Sequence, residues 1–316
     1  MIALAAKGIS ALWEPDCGHL PDLTIDGMSI LWSAPWRADP SIQADAAIPL
    51  VDRRLGGTFA CLPFGRDDLD HGPPHGATAN APWQVIRRAP AALMAAMRTP
   101  RGGVTATLTL RDGHPVLYQS HSLDLDRPAT FAHHPMVRGA RAITHSIARA
   151  VHTFPPMEAA GVERWPADTR TEALPPLPPG EGTDFATIVS EPGLGWTAVT
   201  RASDTILFLR PAEILPVTNV WLWNCGRDGA PWNGAALDVC GIEDGVCAGA
   251  AGFAAALSDN RIAAEGVPTA LSPGRHVIPH AIARLPEPVA VDTVEMTDDT
   301  LTAGGMTIPF DGGHLR

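Results

Sequence analysis

The residues most able to do chemistry fall in three short stretches of this 316-residue chain. The first is "GGTFACLPFGRDDLDHGPPHGATANAPWQV" (56–85), with Arg66, His71 and His75. The second is "FAHHPMVRG" (131–139), with the adjacent pair His133 and His134. The third is "VWLWNCGRDGAPWNGAALDVCGIEDG" (220–245), with Trp223, Trp232 and the acidic pair Glu243 and Asp244. Imidazole and carboxylate are the side chains suited to moving protons near neutral pH. His71 and His75 have the four-residue spacing of a helical metal pair, but Pro73 and Pro74 between them forbid a regular helix. Alternating His residues followed by a Glu would indicate a metal-dependent β-fold isomerase or dioxygenase; His121 and His133 are too far apart for that. Successive residues on an extended strand face opposite ways, so His133 and His134 are expected to do different jobs. Pro135 restricts His134 to an extended backbone.

These stretches must be positioned by strands. Gly (30) and Pro (31) recur throughout and break the chain into short segments. In "GVTATLTLRDGHPVLYQSHSLDL", apolar Val104, Ala106, Leu108 and Leu110 alternate with threonines, and Asp112-Gly113 turns the chain into a second strand. The same rhythm surrounds Asp26-Gly27 and recurs in "GWTAVTRASDTILFLRP" and "DTVEMTDDTLTAGGMTIPF". The expected class is therefore all-β, a single domain over 1–316 built of antiparallel strands with few short helices. Two segments depart from the rhythm. The proline-rich 153–182 reads as a long ordered loop over a sheet edge, or as a linker, with Trp165 able to pack. The alanine-rich 245–260 reads as a short helix.

Composition narrows the partners. Charged residues are 18% of the chain and hydrophobic ones 45%, a globular balance. A net charge of -11 argues against nucleic acid or an anionic membrane, both of which need clustered Lys and Arg. Five scattered cysteines without CxxC spacing read as thiols in a reducing, cytoplasmic setting. The N-terminal stretch does not read as a signal peptide, and no run approaches the roughly 20 apolar residues of a membrane span. The charge says nothing against a neutral polyhydroxylated ligand, and nine Trp against one Tyr supply flat faces for a pyranose. Interconverting sugar anomers would use what the three stretches offer: a base for the anomeric hydroxyl, an acid for the ring oxygen, and groups that hold the other hydroxyls.

In order along about 270 residues, five pieces resemble the aldose 1-epimerase (galactose mutarotase-like) superfamily. "GISALWEPDCGHLPDLTIDGMSILW" is similar to its opening strand and hairpin. "LGGTFACLPFGRD…PPHGATANAPWQV" is similar to its glycine, proline and HG block. "TFAHHPMVRG" resembles its HP segment, "CGIEDG" its glutamate strand, and "LSPGRHVIPHAIARL" its closing turn and strand. The resemblance implies a large antiparallel β-sandwich and an isomerase needing no metal or organic cofactor. It implies Glu243 as the base, His134 as the acid and His75 as a hydroxyl-binding group, with a monosaccharide or small sugar derivative as partner. Arg66 is the candidate binding arginine, with Arg54 the weaker one and a surface ion pair the other reading. Trp232 and Trp223 are candidate stacking platforms or core residues. Met136-Val137 after HP, Ala77-Thr78-Ala79 after HG, and Asp244 after the glutamate depart from the family pattern and mark a divergent branch. The phosphate-binding arginine of the phosphorylated-sugar relatives is missing. A non-catalytic carbohydrate-binding or sensing protein on the same fold is the alternative.

Overall fold

A computed structural model describes residues 1–155, 165–175, 182–224 and 228–316. Two eight-stranded antiparallel sheets make up most of it. The first, which we call the site sheet, runs in the order Arg170–Thr171, Ala148–Phe154, Gly182–Ser190, Val217–Asn224, Val239–Val246, Phe131–His133, Ala60–Cys61, with Met136–Arg138 also paired to Val239–Val246. The second, the backing sheet, runs Ala142–His145, Leu194–Thr200, Thr205–Pro211, Gly274–Leu285, Val116–Leu125, Gly102–Thr109, Ala92–Thr99, Gln84–Ala89. All four hairpins expected from the sequence form. A four-stranded N-terminal sheet ends on the Asp26-Gly27 turn, and three C-terminal strands between Val294 and Pro309 form a separate small sheet.

Alternation along the strands sorts the side chains into layers. Val220, Leu222 and Ile242 from the site sheet join Leu117, Phe208 and Ile282 from the backing sheet in the sandwich interior. Val217, Trp221 and Trp223, at the opposite parity, join Phe59, Phe185 and Trp232 on the outer face of the site sheet. The outer face of the backing sheet is covered by Leu301 and Ile308 of the C-terminal strands and by Phe310 just after them. Because both its faces are covered, every residue of Val239–Val246 is buried.

One expectation is corrected, and part of the proline-rich stretch is located. The alanine-rich segment supplies the end of a strand, a single 3-10 turn at Gly249–Ala251 and one helical turn at Phe253–Ala256. Gly249 and Gly252 hold φ of +63° and +97°, which a continuous helix cannot contain. Within 153–182, Arg170–Thr171 adds an edge strand to Ala148–Phe154, and Trp165 is buried with its amide donating to Asp184 Oδ1 at 2.6 Å. The rest of that stretch, 156–164 and 176–181, lies outside the described residues.

Candidate active site

The site is centred on one cross-strand pair. Ala132 stands opposite Gly245, and Met136 opposite Gly241, so the intervening His134 stands opposite Glu243. Opposed residues in an antiparallel pair share a face. Pro135 has no N–H to give the ladder, but its carbonyl accepts from Ile242 N at 3.0 Å. On the other side, His134 N donates to Phe59 O at 2.9 Å. The strands lie close here because residue 245 is glycine: a Cβ there would stand 2.5 Å from Phe131 O. The outcome is a contact of 3.0 Å between His134 Nε2 and Glu243 Oε1, with both side chains about 5% exposed or less. Neither His134 Nδ1 nor Glu243 Oε2 has a hydrogen-bond partner among the described residues.

Aromatic rings hold the histidine. His134 stacks on Phe59 at 4.7 Å, and Phe59 stacks in turn on His19 at 4.3 Å. His75 meets His134 edge-on at 4.8 Å. It sits in a left-handed conformation, φ +61°, on a loop tied down by His75 N to Gly65 O and Leu62 N to His75 O. Its pKa is held well below the usual value by desolvation, then by His134 and His19, so the ring stays neutral. Burial likewise lowers the pKa of His19 to about 3.

A cavity of about 440 Å³ opens over the pair, a size suited to a small ligand. His75, His134 and Glu243 line it together with Trp221, Trp232 and Phe185. Arg66 stands at the rim, its side chain 80% exposed and 3.9 Å from Asp68. Arg54 does not line the cavity; it joins Arg37 in pairing with the buried Glu14, at 3.0 and 2.6 Å. Trp223 is fully buried behind Trp221 and Trp232. Sequence reasoning passed over Trp221, although it shares the parity of Trp223 in "VWLWN", and over Cys61, Phe59 and Phe185, which no motif singled out.

The other face of the same strands carries a different arrangement. His133, fully buried, stacks on His280 at 4.4 Å and touches His121 at 4.9 Å. Asp244 points into the sandwich, where Arg210 Nη1 (2.9 Å) and His280 Nε2 (2.9 Å) reach it from the backing sheet. Burial raises the Asp244 pKa, but Arg210 and His280 outweigh it and hold the carboxyl below its usual value. The duplicated histidine is therefore a packing residue between the sheets. Among the described residues, no group of three or more His, Cys, Asp or Glu is arranged to hold a metal ion, and no helix is long and apolar enough to cross a membrane.

No family model matches the chain, and no curated protein matches it. Solved structures do. A galactose mutarotase related enzyme from Lactobacillus acidophilus aligns with a TM-score of 0.59 at 11% identity, over 93% of this chain and 99% of that one. A galactose mutarotase-like protein from Lactobacillus casei gives 0.58 at 13%, over 90% and 100%. An aldose epimerase homologue from C. elegans gives 0.56 at 14%, over 90% and 98%. The large antiparallel sandwich described above is thus the galactose mutarotase-like fold, carried by a sequence 11–14% identical to those structures.

Proposed function

We propose that this protein is an aldose 1-epimerase-like isomerase, a single-domain cytoplasmic enzyme that interconverts the anomers of a monosaccharide or small sugar derivative. The observation that carries the reading is the 3.0 Å contact of His134 Nε2 with Glu243 Oε1 inside the cavity. The two oxygens of a cyclic hemiacetal are bonded to one carbon, so the acid and base serving them have to be near neighbours. Glu243 takes the proton of the anomeric hydroxyl while His134 Nε2–H protonates the ring oxygen. The bond from the anomeric carbon to the ring oxygen breaks and an aldehyde forms. Rotation presents its other face, the ring hydroxyl attacks, His134 recovers its proton and Glu243 returns the other to the carbonyl oxygen. His75 hydrogen-bonds a ring hydroxyl. Trp232 and Trp221 offer apolar walls to the sugar's apolar face, and Arg66 meets substituents at the rim. The chemistry draws on side chains alone.

The test is saturation-transfer NMR of anomer exchange across a broad panel of aldoses, with the wild type and His134→Ala. Exchange above the spontaneous rate that disappears in the variant supports the reading. Binding without acceleration for any sugar would replace it with a non-catalytic carbohydrate-binding role for the same cleft.

A further inference from the structure

One group next to the site is unused by ring opening. The Cys61 thiol is fully buried, and its Sγ stands 3.2 Å from His75 Nδ1. The amide of Gly65 reaches the same nitrogen at 3.4 Å. A backbone N–H can only donate, so Nδ1 must carry its lone pair toward that amide. A proton-free Nδ1 makes the thiol the donor in the other contact, S–H to Nδ1. The remaining ring proton is then on Nε2.

The charge states agree with this geometry. Desolvation, then Glu243 and Cys247, push the Cys61 thiol well above its usual pKa, so the proton stays on sulfur. His75 is neutral for the reasons already given. The backbone fixes the spacing: Leu62 bridges Gly76, and a Cβ on residue 76 would fall 1.9 Å from Leu62 O. Cys61 and His75 are thereby held beside each other whatever occupies the cavity.

We propose that Cys61 is a positioning residue, whose thiol donates to His75 Nδ1 and fixes that ring as the neutral Nε2–H tautomer. His75 then meets a sugar oxygen only as a hydrogen-bond donor, and the exchange of protons is left to His134 and Glu243. The role toward sugar rests on the isomerase reading; the tautomer does not.

Nitrogen-15 NMR of histidine-labelled full-length protein tests this with the wild type, Cys61→Ala and Cys61→Ser. The wild type and Cys61→Ser, which keeps a donor, are expected to give a proton-free Nδ1 and a protonated Nε2 on His75. Cys61→Ala leaves only the long 3.4 Å contact of Gly65 N to hold Nδ1 and is expected to give mixed tautomers. For a sugar the wild type turns over, Cys61→Ala raises KM about tenfold, the worth of one hydrogen bond, with kcat within about twofold, and Cys61→Ser restores KM. A protonated Nδ1 in the wild type, or an unchanged tautomer in Cys61→Ala, overturns the proposal. The expected tautomer change in a protein that turns over no sugar supports the role of Cys61 while removing the isomerase reading.

Discussion

His134 and Glu243 are directly opposed across one antiparallel strand pair, and His134 Nε2 meets Glu243 Oε1 at 3.0 Å. On the proposed mechanism an acid and a base act together on two oxygens of one carbon, so the two residues are not independent. Glu243→Gln and His134→Ala should each lower kcat by about a thousandfold. The double variant should be little worse than either single one, since removing one partner already disables the exchange. Saturation-transfer NMR on the same sugar checks all three. Multiplicative losses would mean that the two residues act separately.

The buried histidines set an acid limit on stability. Burial lowers the pKa of His19 and His121 to about 3 and that of His133 well below its usual 6.5. The unfolded chain therefore binds protons that the folded one refuses. Their contribution is fully present above pH 6.5 and is lost as pH falls toward 3, at up to about 1.4 kcal/mol per pH unit for each ring. Urea titrations from pH 7.5 to 4.5 should show this decline. A flat profile between about pH 6 and 5 would contradict it.

Asp244 is the carboxylate that should matter for folding. Arg210 and Asp244 are both fully buried and bridge the two sheets. Removing one partner strands the other's charge, which costs about 3–5 kcal/mol. Arg210→Met alone should show this loss in denaturant melts, and pairing it with Asp244→Leu should recover much of it. Equal stability of the single and double variants would show that the pair does not act as a unit.

Arg66 should report on the class of sugar. It is 80% exposed and makes one long ion pair, at 3.9 Å. Arg66→Ala should leave the melting temperature unchanged. Its KM should rise about tenfold for a sugar bearing a carboxylate or phosphate and stay level for neutral aldoses, as measured by competition in the exchange assay. A rise for neutral sugars as well would place Arg66 on the hydroxyls.

The sheets were legible in the sequence because strand alternation and turn residues are local signals. Alternation also separated His133 from His134 without reference to structure. What was not legible depends on long-range register. Cys61 reaches His75 only because Leu62 bridges Gly76, and nothing in "ACLPFG" records that fold-back. Arg54 and Arg66 are equivalent cations in sequence; a buried Glu14, forty residues upstream of Arg54, occupies one of them. Trp223 and Trp221 share a face, and only the burial of the first behind the second decides which one lines the cavity.

The paired letters HH and ED leave the alignment of their two strands ambiguous when one pair is taken alone. Sliding either strand by one residue would still present a histidine opposite an acid, as His133 with Glu243 or His134 with Asp244. Only the observed alignment sets a histidine opposite an acid on both faces at once, since either slip leaves the other histidine against Ile242 or Gly245. On the inner face, Arg210 and His280 engage the carboxylate of Asp244 when Asp244 points inward. The ionic cluster between the sheets thus works as a second check on the alignment of the strand that carries Glu243, made on the side turned away from the cavity.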